Sequence, residues 1–294
     1  MNGTNVANTV LTRLSDGLTG LSPQARKAAV FVLENPNEVG VSTVREIAAA
    51  ANVKPNTMVR LAQSVGFDGY EEFREPFRAD IRRGVTSFPD RARWLQSIAA
   101  TGGMGGLFGE MVNAAIRNIE DTFAGIAVSD LEAAAQAIWS ARKVFVLGVG
   151  VNAANAQNFS YLASTGMDDF IAIPKIGSTA SDDLVRATPD DIMIAITVKP
   201  YRAEIVDTVR QAQAQGLAVI GISDSPASPI VAGVAHGFVV SVDTPQFFPS
   251  SVPVIAVLET LLSFVIAKAD PGIVARVDAF HERRRTLGLY CADG

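Results

Sequence analysis

Apolar positions in the first eighty residues recur at helical spacing. Val44, Ile47, Ala48 and Ala51 follow the i, i+3, i+4, i+7 rule of one buried helix face, and Met58, Leu61, Ala62 and Val65 repeat it. Each helix has a start signal. Ser22-Pro23 supplies an N-cap with proline in the first turn of an earlier helix, which ends at Asn35-Pro36, and Thr43 with Glu46 forms a T-x-x-E capping box. Only Asn52-Val53-Lys54 separates the last two helices, room for a tight corner and nothing more. The stretch from Leu21 to about Ile81 is therefore predicted as a set of short helices.

The second half changes period. Continuous apolar runs at Val144 to Leu147, Phe170 to Ile173, Ile192 to Thr197, Ala218 to Ile222 and Phe238 to Val242 alternate with helical text. Strands this apolar imply a parallel sheet covered on both faces. A helical stretch over roughly Leu107 to Ser140 precedes them, and a helix over Val252 to Ala267 closes the domain. The mixed, glycine-rich text from Phe88 to Gly109 reads as a linker. The expected architecture is an all-α helix-turn-helix domain over 1–83, a linker and connecting helix over 84–120, an α/β doubly wound five-stranded parallel sheet over 121–270, and a tail over 271–294.

Composition narrows the chemistry. With 48% hydrophobic and 19% charged residues across 294, ample material exists for two ordinary cores. A single cysteine, Cys291, leaves no disulfide framework, and the isolated His236 and His281 offer no metal-ligand spacing, so no metal and no cofactor are expected. The N-terminus lacks a basic start followed by an apolar run, and Val252 to Ala267 is short and carries Glu259. A cytoplasmic protein without a membrane partner is expected. The net charge of -5 hides an asymmetry: through Arg93 there are 12 Lys+Arg against 10 Asp+Glu, and beyond it 13 against 20. The less acidic front end suits a nucleic-acid reader without identifying one.

A helix-turn-helix needs a small residue on its first helix, a residue tolerant of left-handed backbone in the turn, and an apolar residue on its second; Ala48, Asn52 and Met58 fill these places. If Met58, Leu61, Ala62 and Val65 face inward, Asn56, Arg60 and Gln63 point about 150 to 170° away from the core. Such side chains make bidentate contacts to guanine or adenine in the major groove, while Lys54 and Thr57 at the helix start suit phosphates. The same pattern also fits a plain solvated face. The stretch from Leu21 to Arg74 resembles the N-terminal domain of RpiR-type (MurR-type) bacterial transcription regulators. The likeness rests on Leu21-Ser22-Pro23, Glu34-Asn35-Pro36, Thr57-x-x-Arg60 and Gly66-Phe67-x-Gly69-Tyr70. One departure stands out: the family usually has serine where Lys54 stands, so the recognition helix lacks a side-chain cap, with Pro55 as partial compensation.

Lys143 to Gly150 followed by Val151-Asn152 reads as strand, glycine turn and helix start, which aims backbone N–H groups at an anion. It lacks the third glycine and acidic partner of a dinucleotide fingerprint. The layout from Leu131 to Ala267 resembles the sugar-isomerase (SIS) domain of the same regulators, a flavodoxin-like fold. That family holds a sugar phosphate with a serine in the first loop and a Ser-Gly-x-Thr loop after the third strand. Here Val151-Asn152 and Lys199-Pro200-Tyr201-Arg202, following Thr197, stand in those places. Either Lys199 and Arg202 bind an anionic effector by charge, with Gly150, Asn152, Thr197 and Tyr201 shaping the pocket, or the pocket is degenerate and the cations are solvated.

Glu259 and His236 default to structural roles, and Arg283-Arg284-Arg285 to a solvated run. The resemblance implies a homodimeric or homotetrameric regulator of a metabolic operon, binding double-stranded operator DNA under control of a small anionic metabolite, a sugar phosphate or other organic acid. The competing expectation is a sugar-phosphate isomerase with an accessory N-terminal domain, in which Glu259 would be the acid.

Overall fold

The computed structural model describes residues 6–82, 88–100 and 102–290. The chain divides into two compact units, Met1–Ala115 with Asp243–Ser250, and Ile116–Val242 with Ser251–Gly294.

The first unit is helical. It comprises α1 (Val6–Gly17), a 3-10 turn at Leu18–Gly20, α2 (Pro23–Glu34), α3 (Pro36–Val41), α4 (Val44–Ala50), α5 (Pro55–Ser64), α6 (Tyr70–Arg82), α7 (Phe88–Ala100) and the start of α8 (Met104–Ala124). The predicted caps form: the Ser22 hydroxyl accepts from Ala25 N, and Thr43 and Glu46 make a reciprocal capping box. The predicted inward positions Ile47, Ala48, Met58, Leu61 and Ala62 are buried in one cluster with Val10, Ala29, Val32 and Phe73. The stretch expected as a linker is largely helix. Trp94 of α7 is buried against Val41, and Arg91 is buried too, so a charged residue facing inward disguises the helical period.

The second unit continues through α9 (Val128–Ser140), β1 (Val144–Leu147), α10 (Val151–Ala163), β2 (Phe170–Ile173), α11 (Ala180–Asp183), β3 (Ile192–Ile196), α12 (Ala203–Ala214), β4 (Ala218–Ser223), β5 (His236–Val239), α13 (Val252–Lys268) and α14 (Gly272–Thr286). All pairings are parallel in the order β2-β1-β3-β4-β5. Alternate residues face opposite layers. Val144, Val146, Ile192, Ile194 and Ile196 meet α9, α10 and α13, while Phe145, Leu147, Met193 and Ala195 meet α12. The helical text before β1 breaks into α8 and α9 around Gly125, and β5 begins two residues earlier than its apolar run suggests. The expected tail is helical as far as Thr286. Ile273 is the one buried residue of α14, which is why its sequence shows no amphipathic stripe.

Candidate functional site

Two groups of side chains stand out, one in each unit. In the first, α4 and α5 are joined by a corner in which Asn52 takes φ 51°, the one non-glycine with positive φ among the described residues. Asparagine tolerates that region at smaller cost than other L-residues. Val53 N then donates to Ala48 O at 2.8 Å, and Lys54 caps α5 with its backbone alone, Pro55 following at the first helical position. Hydrogen bonds from the Thr43 backbone and hydroxyl hold the Glu46 carboxyl below its usual range, so the α4 cap carries a full charge at neutral pH.

The α5 wheel comes out as predicted. Met58, Leu61 and Ala62 are buried, whereas Lys54, Asn56, Arg60 and Gln63 are exposed and Thr57 is half-buried. Among the described residues Asn56 and Arg60 have no hydrogen-bonded or ionic side-chain partner, and Gln63 makes one long contact to Asp68 O at 3.4 Å. Side chains held this loosely are available to another molecule. Two supports escaped the sequence reading. The Tyr70 hydroxyl donates towards the carbonyls of Val39 and Ser42, each at 3.3 Å, and buried Arg74 donates to Gly40 O at 3.3 Å. Both pin the end of α3 just before the α4 cap. Burial pushes the Tyr70 phenol far above its ordinary pKa, keeping it a neutral donor. The Tyr70 signal was present in Gly69-Tyr70, but nothing in the sequence reveals its distant acceptors.

In the second unit β1 and β3 are neighbours, yet α10 after β1 packs on one face of the sheet and α12 after β3 on the other. A crevice opens at the carboxyl ends of two such strands, the switch point of a doubly wound sheet. Gly150 caps α10 at φ 59°, and a Cβ on Gly148 would stand 2.2 Å from Asn152 O, so the β1 turn closes only with glycine there. A Cβ placed on Gly150 would lie 3.6 Å from an Arg202 guanidinium nitrogen, which puts that cation across the mouth of the turn.

The six predicted residues of this crevice separate into two sets. Lys199 and Arg202 are exposed; Arg202 pairs with Glu204 at 3.0 Å, and Lys199 N donates to Asp224 Oδ1 at 3.2 Å. Asn152 and Thr197 are buried, and the Asn152 side-chain oxygen accepts from Asn155 at 3.0 Å. Tyr201 packs on the α12 layer with its hydroxyl enclosed and without a hydrogen-bond partner. The turn at Gly150 and the Arg202 cation thus come together, while Asn152 and Thr197 are buried. The acidic residues Glu204 and Asp224 were missed. Asp224 follows β4 directly, at the same sheet edge as the crevice, which is the signal that would have found it.

The remaining candidates lie elsewhere in the second unit. Glu259 is exposed on α13, and among the described residues its carboxylate accepts no hydrogen bond from either crevice loop. Burial pushes the His236 imidazole below its ordinary pKa, against the opposing charge of Asp130. Within the basic run of α14, Arg284 donates to the Tyr161 hydroxyl at 2.6 Å and lies over the Tyr290 ring, and Arg285 pairs with Glu282. Among the described residues no group of three or more His, Cys, Asp or Glu is placed to hold a metal, and no single helix is long and apolar enough to cross a membrane.

Comparison with known proteins agrees with this division. Residues 8–82 match the helix-turn-helix domain of the rpiR family, and residues 137–266 match the SIS domain. An uncharacterized HTH-type transcriptional regulator of Caldanaerobacter subterraneus is 23% identical over 90% of this chain and 93% of its own length. The HTH-type transcriptional regulator HexR of Pseudomonas aeruginosa is 21% identical over 73% of each chain. Among solved structures, the sugar isomerase domain of an RpiR transcription factor from Sphaerobacter thermophilus covers 61% of this chain and 98% of that one, at 26% identity and TM-score 0.56. NanR of Vibrio vulnificus, solved in complex with ManNAc-6P, shares the fold over 96% of this chain and 100% of its own, at 19% identity and TM-score 0.55.

Proposed function

Because the chain belongs to the RpiR family of transcriptional regulators, with a helix-turn-helix domain followed by a SIS domain, we propose that it controls a metabolic operon through a small anionic metabolite bound in its SIS crevice. The observation that carries the proposal is on α5: Asn56 and Arg60 stand exposed and unpartnered among the described residues, opposite the buried Met58, Leu61 and Ala62. Inserted in the major groove, Arg60 donates to guanine and Asn56 and Gln63 pair with adenine, with Lys54 and Thr57 on phosphates. Operator DNA places the protein in the cytoplasm.

For the effector, the Arg202 cation beside the Gly150 turn and the exposed Lys199 favour a phosphate or carboxylate. The complex of NanR with ManNAc-6P makes a phosphorylated sugar the first class to test. The hydroxyls that usually hold the sugar are replaced here, so the anionic group supplies a larger share of the affinity. Arg202 must exchange Glu204 for the ligand on binding. Exposed apolar side chains at the start of α8 in the first unit, Met104, Phe108 and Val112, suit a second copy of the chain, giving two recognition helices for a palindromic operator.

Gel shifts of the chain's own upstream DNA across a salt series test the reading, with wild type beside Arg60→Ala. Selective, salt-sensitive binding that the variant loses supports it. Effector control requires reciprocity: saturating operator must change effector affinity by the factor that effector changes operator affinity, and an unchanged affinity sinks the allosteric part.

A further inference from the structure

Residues 243–250 follow β5 and precede α13 in the chain, yet they pack into the first unit. Their partner there is Arg91 of α7, 2% exposed and, among the described residues, the largest side chain so deeply buried. A guanidinium is taken out of water only where hydrogen bonds and opposite charge replace its solvation. Burial disfavours the charged form, and this segment supplies part of what opposes it: Arg91 Nη2 donates to Thr244 O at 2.7 Å, and the charge of Asp243 favours the guanidinium. Phe88, one turn earlier on α7, stacks on Phe248 with ring centres 4.6 Å apart and planes at 17°.

An adjoining face of α7 meets α3. Trp94 is buried against Val41, and Asp90 accepts from the Asn37 side chain at 2.9 Å. Val41 ends α3, one residue before the Ser42-Thr43 entry to the α4 cap. A chain of contacts inside the first unit thus runs from 243–250 through α7 to the helix pair that ends in α5.

We propose that the segment Asp243–Ser250 is a tether on α7, with Arg91 as its latch, through which a shift at the carboxyl end of β5 alters the placement of α4 and α5. The proposal rests on the regulator reading above and supplies its mechanical link. Arg91 is a positioning residue that touches neither DNA nor effector.

Hydrogen–deuterium exchange of the full chain tests the tether, comparing wild type with Arg91→Met and with Phe248→Ala, which alters the segment's side of the contact alone. Both variants are expected to speed exchange in α3 and α4 by about tenfold or more while β1, β3 and β4 keep their protection. Exchange that rises only in α7 and 243–250, with α3 and α4 unchanged in Phe248→Ala, overturns the proposal. If Arg91→Met fails to fold, Phe248→Ala decides alone. Gel shifts on the same preparations separate the two ideas. Selective DNA binding by wild type with α3 and α4 unmoved in Phe248→Ala sinks the tether only; the expected exchange pattern in a chain that binds no DNA selectively supports the tether and sinks the regulator reading.

Discussion

On α5 the side chains proposed to read DNA are exposed; at the sheet crevice Arg202 and Asn152, proposed to meet the effector, are already engaged with the protein. Asn56 and Arg60 have no side-chain partner among the described residues, whereas the Arg202 guanidinium is paired with Glu204 and the Asn152 side chain is bonded to Asn155. The difference suits the two proposed ligands. A groove of DNA arrives as a large rigid surface and needs exposed, uncommitted donors, while a small anion needs a site whose charges are held in place and exchanged on binding.

The contrast sharpens first on stability. Met58→Ala removes a fully buried side chain from the inner face of α5 and is expected to cost about 2–5 kcal/mol, read as a lower midpoint of chemical unfolding. Arg60→Ala on the outer face of the same helix should leave that midpoint within about 0.5 kcal/mol while lowering selective operator affinity by about 10- to 100-fold. Equal stability losses at the two positions would erase the proposed division of faces.

At the crevice, Arg202→Ala should weaken binding of a phosphorylated sugar, measured by calorimetry, by roughly tenfold, in keeping with loss of about 1.5–3 kcal/mol from a charged hydrogen bond partly offset by solvent screening. Unfolding should not change, because the Arg202–Glu204 pair is exposed on both sides. If Arg202→Ala left ligand affinity intact, the cations would be solvated loop residues after all. Thr43→Ala, which removes the α4 cap without touching either ligand surface, should cost about 1 kcal/mol by thermal unfolding. The smallest effect is expected from pH. His236 is held below its ordinary pKa of 6.5 by burial, so the unfolded chain takes up its proton first. Its contribution is complete above about pH 6.5 and is lost as pH falls through the lower folded value. His236→Gln should remove that part of the acid-side slope, and an unaltered slope would show that the imidazole is as solvated folded as unfolded.

Local signals made much of this readable from sequence. The caps at Ser22 and Thr43, the corner at Asn52 and the two faces of α5 depend on residues within a few positions of one another, and periodicity reports them directly. The strand runs were visible because parallel strands are apolar on both faces. The helices α7 and α14 were missed for the converse reason: one buries an arginine, and the other buries little besides Ile273.

By itself, then, the sequence determined the helices of the α2 to α5 region and the five strands, which face of α5 is outward, and that cations sit after β3. Tertiary structure alone decided that β1 lies beside β3, that Arg202 reaches the Gly150 turn, and that 243–250 docks on Arg91. Those outcomes join residues from about fifty to more than one hundred and fifty positions apart; such pairings leave no periodic trace in the chain, because the packing of whole layers selects them.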